Sequence, residues 1–282
     1  MRLPFRAGLL LAGLAGLAVL LTGCAGSSGT AAPAPARDGS ADPEKDPASQ
    51  VRVAAASDLQ FAFAEIAALV AEEHPEIELA VTYGSSGQFV QQIANGAPFD
   101  LYLSADVAYP RGLVDDGLAE PDELFTYGVG RLVVWVPEGS PVDPSPGPSV
   151  LADPAVRTVA IANPDVAPYG RKAVEALRAA GVYEAVEPKL VRGENVAQAA
   201  EFVRSGNADA GVVALSQVLA PEVRDEGRWT EVPPELFTPL EQGGVVLAGA
   251  RDADAARAVR DVLLGERGRA VLAAYGFSPA GG

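Results

Sequence analysis

Small hydroxyl residues lie where a predicted strand gives way to a predicted helix. Ser85 and Ser86 follow a short apolar run and precede a stretch with apolar residues at helical spacing. The first turn of a helix has backbone N–H groups without intrahelical partners, and it carries the positive end of the helix dipole. Serine hydroxyls placed there add further hydrogen-bond donors. This pattern indicates a site for an anion.

Three further junctions of this kind occur in the sequence. Of the four, two lie before Arg131 and two after it. The four are Ala55-Ala56-Ser57, Gly84-Ser85-Ser86-Gly87, Ala167-Pro168-Tyr169-Gly170 and Glu194-Asn195-Val196-Ala197. In open α/β sheets, ligands bind at the carboxyl ends of the strands. A cleft between two lobes would therefore bring four helix starts to one anion, and every donor would be neutral.

The elements that must position these residues alternate between short apolar strands and helices. This alternation predicts an α/β fold with a largely parallel sheet in each lobe. The predicted strands cover residues 51–56, 77–83, 99–103, 131–136, 158–162, 189–191, 210–214 and 244–248. The predicted helices begin after Asp58 and at Ser85-Ser86, and then cover residues 171–180, 195–204 and 253–275.

The same order of elements predicts the division into lobes. Strand–turn–helix units occur twice before Arg131 and twice after it. We assign residues 51–130 together with 242–282 to one lobe and residues 131–241 to the other. The two crossings, near residues 128–131 and 240–244, would form a hinge.

The first 50 residues are not predicted to join the fold. Residues 1–24 have a basic start and then an apolar run that ends at Cys24, which is typical of a secretory signal and short for a membrane span. The run resembles a bacterial lipoprotein signal, which implies lipidation of Cys24; a chance cysteine after an ordinary signal is the alternative. An acyl chain would anchor the protein to a membrane without spanning it. Residues 25–50 have little apolar bulk and are predicted to be a disordered tether.

Charge and motifs exclude several classes of function. The formal net charge of −16 argues against nucleic acid as a partner. It does not exclude a small anion, because salt screens exposed charges beyond about 8–10 Å. The one histidine, His74, lies in a charged helix end, and no Gly-x-Ser-x-Gly elbow or phosphate-binding loop is present. The sequence therefore predicts no enzyme; a surface hydrolase that uses Ser86 is the alternative from another class, and it would need a base.

At these junctions the sequence resembles the molybdate-binding proteins of bacterial ABC importers. The matching runs are AAASDL (54–59), YGSSGQFVQQIANGAPFDLYLSAD (83–106), NPDVAPYGRKAVEAL (163–177), GENVAQAAEFVRSGNADAGVVALSQ (193–217) and YGF (275–277). The resemblance implies the two-lobed periplasmic-binding-protein fold with its ligand cleft between the lobes. It also implies an extracytoplasmic monomer that delivers its ligand to an ABC permease and its ATPase.

The resemblance further implies the ligand and its donors. The family binds molybdate or tungstate through hydroxyls and backbone amides, without a countercharge, so molybdenum enters only as the bound oxyanion and no cofactor is implied. The corresponding residues here are Ser57 and Ser86 through their hydroxyls, Tyr169 and Val196 through their N–H groups, and Asp58 through its amide.

One donor of the family is missing from this sequence. Some members use a tyrosine phenol at the position that corresponds here to Ala214. Tyr169 stands where those members have a small residue, so its phenol is a candidate to replace the missing donor.

The protonation of the ligand separates some of the alternative oxyanions. Molybdate at neutral pH carries no proton, so a pocket that only donates hydrogen bonds satisfies it. Phosphate keeps a proton and needs an acceptor, which Asp58 could supply; capping of the following helix is the role we expect for Asp58 instead. Sulfate is also unprotonated, and donor chemistry alone does not exclude it. A sensor or adhesin that retains the fold is a further alternative.

Overall fold

The computed structural model describes residues 49–280, which form two sheets of five strands with helices packed against them. The predicted signal peptide, the predicted lipidation site Cys24 and nearly all of the predicted tether lie outside the described residues. Those three assignments therefore stay predictions. Within residues 49–280, no helix is both long enough and apolar enough to cross a membrane.

The first sheet has the strand order β2-β1-β3-β10-β4. Its strands are β1 (Ser49–Ala56), β2 (Ile77–Gly84), β3 (Leu101–Ser104), β4 (Leu124–Gly130) and β10 (Leu240–Val246). Strand β1 pairs in parallel with β2 and β3, whereas β10 runs antiparallel to β3 and β4. We call this sheet and its helices the first lobe.

The second sheet has the order β7-β6-β8-β5-β9. Its strands are β5 (Leu132–Pro137), β6 (Val159–Ala162), β7 (Leu190–Gly193), β8 (Ala210–Ala214) and β9 (Gly227–Glu231). Strand β6 pairs in parallel with β7 and β8, and β5 runs antiparallel to β8 and β9. This sheet and its helices are the second lobe.

Nine α-helices occur within residues 49–280. They are α1 (Gln60–Glu73), α2 (Ser86–Ala94), α3 (Ala108–Asp115), α4 (Pro168–Ala179), α5 (Tyr183–Val186), α6 (Val196–Arg204), α7 (Leu215–Val218), α8 (Ala253–Leu264) and α9 (Glu266–Ala274). A single 3-10 turn, Ser57–Leu59, joins β1 to α1. Helices α1, α2, α4 and α6 each follow a strand, and their first turns therefore lie at the carboxyl ends of the sheets.

The cores of the lobes come from apolar strands and from one face of each packed helix. In β1, Val51 and Val53 are fully buried, and Phe63 and Ile66 of α1 are fully buried as well. Burial of such side chains stabilises the fold by about 25 cal/mol per Å² of apolar surface. Helices α1 and α8 pack against the first sheet, and α9 packs against α1 and α8.

The prediction of a two-lobed α/β fold is confirmed. Each sheet is mixed, however, because one strand in each runs antiparallel to both of its neighbours. Strand alternation along the chain does not reveal this, since it reports which elements exist and not which way they pair. The prediction also missed β4 and β9. It placed the start of β10 at Gly244 rather than Leu240, because the polar residues Glu241 and Gln242 interrupt the apolar pattern that indicates a strand.

Candidate functional site

A small pocket lies between the two lobes, at the carboxyl ends of β1, β2, β3, β6 and β7. Its lining residues are Ala56, Ser57, Asp58, Gly84, Ser85, Ser86, Ala105, Ala167, Pro168, Tyr169, Asn195 and Val196. All four predicted junctions thus meet at one place, although they are far apart in the sequence. The cavity has a volume of about 10 Å³, far below the 300–1,000 Å³ typical of pockets for drug-sized ligands. It is too small for such a ligand, which leaves a small inorganic ion as the class of occupant.

Ser86 begins helix α2, and its hydroxyl is oriented by a neighbouring amide. The Ala105 N–H donates to Ser86 Oγ at 3.0 Å, and the Tyr102 phenol donates to the Ser86 carbonyl at 2.8 Å. A serine hydroxyl has one proton to donate besides the hydrogen bonds it accepts. Because the Ala105 amide already occupies an acceptor site, the Ser86 O–H remains available as a donor to a ligand.

The neighbouring hydroxyl of Ser85 is used differently. Ser85 Oγ donates to the Val166 carbonyl of the second lobe at 2.5 Å. Its single proton is therefore already engaged in a contact between the lobes. Of the two adjacent serines, only Ser86 has a hydroxyl proton without a partner among residues 49–280, so Ser86 stays the predicted ligand donor.

Ser57 lies where β1 ends, and it is held by groups of the second lobe. The Ala197 N–H approaches Ser57 Oγ at 3.4 Å, a long contact, and Gln217 Nε2 donates to the Ser57 carbonyl at 3.0 Å. The side chain is 3% exposed. As in Ser86, the hydroxyl accepts from an amide and keeps its own proton to donate.

Tyr169 and Val196 occupy the first turns of α4 and α6. Tyr169 follows Pro168, the first residue of α4, and Val196 is the first residue of α6. Amides in these positions have no intrahelical acceptor, so they can donate to an anion at the positive end of each helix. The Asn195 side chain caps α6 by accepting from the Gln198 N–H at 3.0 Å, which leaves the Val196 amide uncapped.

The Tyr169 phenol lies in a buried cluster of polar side chains with Asp58 and Gln242. There it is not positioned as the ligand donor that the sequence analysis considered. Gln242 Nε2 lies 3.1 Å from Tyr169 Oη, and the Asp58 carboxyl adjoins the same phenol. Burial raises the pKa of Tyr169 well above its ordinary value, and the nearby Asp58 carboxyl adds to this increase. The phenol is thus hydrogen-bonded within this group, and the candidate replacement for the donor missing at Ala214 is engaged elsewhere.

Asp58 does not cap the following helix, and that prediction was wrong. Asp58 is the second residue of the 3-10 turn, and no side chain caps either this turn or α1. The residue is 1% exposed. Its Oδ2 accepts from Gln242 Nε2 at 2.6 Å, while its Oδ1 has no partner within the described residues. Burial raises the pKa of Asp58 to about 6, and the hydrogen bonds from Gln242 and Tyr169 oppose this increase.

Three contributors to the site were missed by the sequence analysis. Ser216 Oγ donates to the Asp58 carbonyl at 2.7 Å, and Gln217 and Gln242 make the contacts given above. Ser216 and Gln217 lie in α7, the short helix that follows β8 directly, so the rule that favours residues at strand ends could have identified them. Gln242 has no such signal, because it lies inside a strand.

The pocket offers neutral donors and no cationic side chain. Among its lining residues, Asp58 and Tyr169 are the only ones with ionisable side chains. Within residues 49–280, no group of three or more His, Cys, Asp or Glu residues is arranged to hold a metal ion. The arrangement can therefore bind a small oxyanion through hydroxyls and helix-start amides.

The raised pKa of Asp58 predicts a pH-dependent stability. The folded state binds this proton more tightly than the unfolded state, whose pKa is near 3.8. The resulting stabilisation is complete below about pH 4 and is lost as the pH rises through 6. We expect it to amount to at most about 3 kcal/mol in the free energy of unfolding. Asp58→Asn should remove this component.

Urea unfolding of wild type and Asp58→Asn between pH 4 and 8 measures the effect. The stability of the variant relative to wild type should increase between pH 4 and pH 7. Asp225→Asn, at an exposed side chain, serves as the control and should follow wild type. A constant difference between wild type and Asp58→Asn would show that Asp58 titrates normally.

Comparison with known proteins adds independent information. Residues 51–278 match the family model described as bacterial extracellular solute-binding protein. The chain is 41% identical over 231 residues to the molybdate-binding protein ModA of Rhodobacter capsulatus, covering 82% of this chain and 88% of the relative. It is 39% identical over 230 residues to ModA of Azotobacter vinelandii, covering 82% and 90%. The structure of the Azotobacter vinelandii periplasmic molybdate-binding protein aligns with a TM-score of 0.74 at 31% identity, covering 80% of this chain and 98% of that one.

Proposed function

This chain belongs to the bacterial extracellular solute-binding proteins, and from that premise we propose that it captures molybdate or tungstate and delivers it to the permease of an ABC transporter. The observation that carries the proposal is the chemistry of the pocket. Four strand-to-helix junctions supply hydroxyl and amide donors, and no lysine or arginine lines the space. Its relatives from Rhodobacter capsulatus and Azotobacter vinelandii support the choice of oxyanion.

We assign the ligand donors as follows. The hydroxyls of Ser57 and Ser86 donate from the first lobe, and the backbone N–H groups of Tyr169 and Val196 donate from the second, with the Asp58 amide as a further donor. Hydrogen bonds to a charged group stabilise by about 1.5–3 kcal/mol each. Because the donors are neutral and come from both lobes, a fully unprotonated oxyanion receives only hydrogen bonds and favours the closed form.

Closure would occur at the two places where the chain crosses between the sheets. The chain leaves the first sheet at Gly130 and returns at Leu240, and these two residues pair in the ladder between β4 and β10. We take the lobes to be residues 49–130 with 240–280 and residues 131–239, so the second boundary lies two residues earlier than the position 242 that the sequence indicated. Rotation about the crossings opens and closes the pocket, as in other two-lobed binding proteins.

The protein acts outside the cytoplasm, as its family does, and we propose that a lipid at Cys24 anchors it there as a monomer. The partner would be an ABC permease with its ATPase. We infer binding rather than catalysis, because a serine hydrolase needs a base at its nucleophile. His74 instead lies 3.3 Å from Glu76, at the end of α1.

Phosphate is the second candidate ligand, and one observation favours it. Asp58 lines the pocket, and its Oδ1 has no hydrogen-bond partner within residues 49–280. An ionised carboxylate in that position would accept the proton that phosphate retains near neutral pH. Sulfate has no such proton and would use the same donors as molybdate.

Calorimetric titration of the purified protein with molybdate, tungstate, sulfate and phosphate tests the proposal. We expect one-to-one binding of molybdate or tungstate and no heat of binding from phosphate. Sulfate, whose exclusion depends on the size of the pocket and not on its donors, should also give none. Binding of phosphate that disappears in Asp58→Asn would assign Asp58 as its acceptor and replace molybdate as the ligand. A protein that binds none of the four anions would contradict the proposed function.

A further inference from the structure

The two lobes are hydrogen-bonded to each other beside the pocket as well as around it. The Val166 carbonyl, in the segment between β6 and α4, accepts from Ser85 Oγ at 2.5 Å and from the Gly87 N–H at 2.9 Å. Both donors belong to the start of α2 in the first lobe. These contacts bring the start of α2 against the loop that leads into α4, and they exist only while the lobes are closed.

Arg171 extends this contact on the outer side of the pocket. It lies two residues after Tyr169 on α4, and its Nη2 donates to Asp106 Oδ2 at 2.9 Å. Its Nη1 donates to the Tyr109 hydroxyl at 2.7 Å, and the guanidinium carbon lies 5.3 Å from the centre of the Tyr109 ring. One arginine of the second lobe therefore makes an ion pair, a hydrogen bond and a cation–π contact with the first lobe.

The partners of Arg171 are connected to the pocket through short segments of chain. Asp106 follows Ala105, whose amide orients the Ser86 hydroxyl. The Asp106 N–H and carbonyl are both hydrogen-bonded to Ser104 Oγ at the end of β3. On the other lobe, Arg171 belongs to the first turn of α4, the same turn that presents the Tyr169 amide. The contact and the ligand donors are thus positioned by the same two elements.

The exposure of the two charged side chains indicates how strong this contact is. The side chains of Arg171 and Asp106 are 36% and 29% exposed, so water reaches the ion pair and reduces its contribution. Such a contact is too weak to keep most molecules closed without a ligand, although it raises the fraction that is closed. It is suited to slow their reopening once a ligand bridges them.

We propose that Arg171, Asp106 and Tyr109 form a clasp that holds the closed form and slows release of the bound oxyanion. The inference rests on the proposed function for the identity of the ligand. The clasp touches no ligand donor directly, so its residues are positioning residues. It forms only after the lobes have met, and its loss should therefore change the dissociation rate and leave the association rate nearly unchanged.

Rapid filtration of protein loaded with radioactive molybdate, into an excess of unlabelled molybdate, measures release. We expect Arg171→Ala to release the ion about 5- to 30-fold faster than wild type, since it loses an ion pair and a cation–π contact. Association should change less than about twofold. Arg178→Ala is the matched control, because Arg178 lies on the same helix but stacks on Tyr183 of its own lobe at 4.7 Å. An unchanged release rate, or an equal loss in association, would overturn the clasp.

A second readout does not need the ligand. Cys24 is the only cysteine, so Cys24→Ser permits spin labels at Gln91→Cys on α2 and Glu184→Cys on α5, both of which are exposed positions. Pulsed electron resonance then reports the distance between the lobes. We expect Arg171→Ala to lower the fraction at the short, closed distance, and an unchanged fraction would count against the clasp. If wild type binds no oxyanion but the distance still shifts, the proposed function fails and the clasp stands.

Discussion

Gly87→Ala is expected to weaken molybdate binding by at least about 100-fold while the protein remains folded. A Cβ atom on Gly87 would lie 2.5 Å from the Val166 carbonyl oxygen and 2.9 Å from the Tyr109 hydroxyl. The first of these is a backbone atom of the other lobe and cannot rotate away. The added methyl group would therefore hold the lobes apart, so that the donors of one lobe no longer reach a ligand bound to the other. Loss of two hydrogen bonds to a charged ligand, at about 1.5–3 kcal/mol each, corresponds to at least about 100-fold in affinity.

The same substitution should disturb the first lobe little, because the first-lobe atom nearest to the added Cβ is the hydroxyl at the end of the Tyr109 side chain, which can turn away. Gly87 lies in the first turn of α2, where alanine is the better helix former by about 1 kcal/mol. Thermal stability without ligand should thus be equal to or slightly above that of wild type. Loss of binding with retained stability would separate a closure defect from a folding defect.

Calorimetry with molybdate and thermal unfolding measure the two quantities in parallel. Gly112→Ala is the matched control, because Gly112 also lies in a helix of the first lobe and an added Cβ would contact nothing within 4 Å. It should bind as wild type does. Wild-type affinity in Gly87→Ala would mean that the ligand-bound protein does not adopt the closed arrangement described here.

Removal of the two pocket hydroxyls is expected to have a comparably large effect. Ser86→Ala should weaken molybdate binding by about 10- to 100-fold, since it removes a hydrogen bond to a charged ligand. Ser57→Ala should do the same. Both changes in one chain should give about the product of the single effects if the two hydroxyls donate independently.

The adjacent serine provides a sharp test of this assignment. Ser85→Ala removes a hydroxyl that donates to Val166 and leaves the ligand donors in place. We expect it to weaken binding less than Ser86→Ala does, by several-fold only. Titration of the four variants with molybdate, together with far-ultraviolet circular dichroism, makes the comparison. Unchanged affinity in Ser86→Ala would remove Ser86 from the site, and a larger loss in Ser85→Ala would reverse the roles of the two residues.

Local pattern was sufficient to locate the four junctions. Strand-to-helix boundaries have a signature in neighbouring residues, such as Pro168 at the start of α4 and Asn195 before α6. The carboxyl ends of parallel strands lie at one edge of a sheet, so the junctions of each lobe could be placed together without coordinates. Residues 51–277 also carried enough motifs for the family resemblance, which the family model and the ModA relatives together confirm.

The orientation of individual side chains was beyond such reasoning. Asp58 has the residue type and position of a helix cap, yet it bonds to Gln242, which is 184 residues away in the chain. Ser85 and Ser86 are the same residue type in the same turn, and only the positions of Val166 and Ala105 distinguish their hydroxyls. A hydroxyl or carboxyl accepts whichever partner the packed chain brings within about 3 Å.

The approach of one lobe to the other is the clearest case. No local feature of Gly87 or Arg171 distinguishes them from other helix residues, and their roles arise from Val166 and Asp106 across the cleft. Periodicity and turn residues report interactions within a few positions along the chain, and they determined the elements and the junctions. The clasp and the engagement of Ser85 depend on contacts across the cleft between residues 60 or more positions apart, which exist only once both lobes are folded and closed. The orientations of the Ser86 hydroxyl and the Asp58 carboxyl depend on Ala105 and Gln242, which only the folded first lobe brings to them.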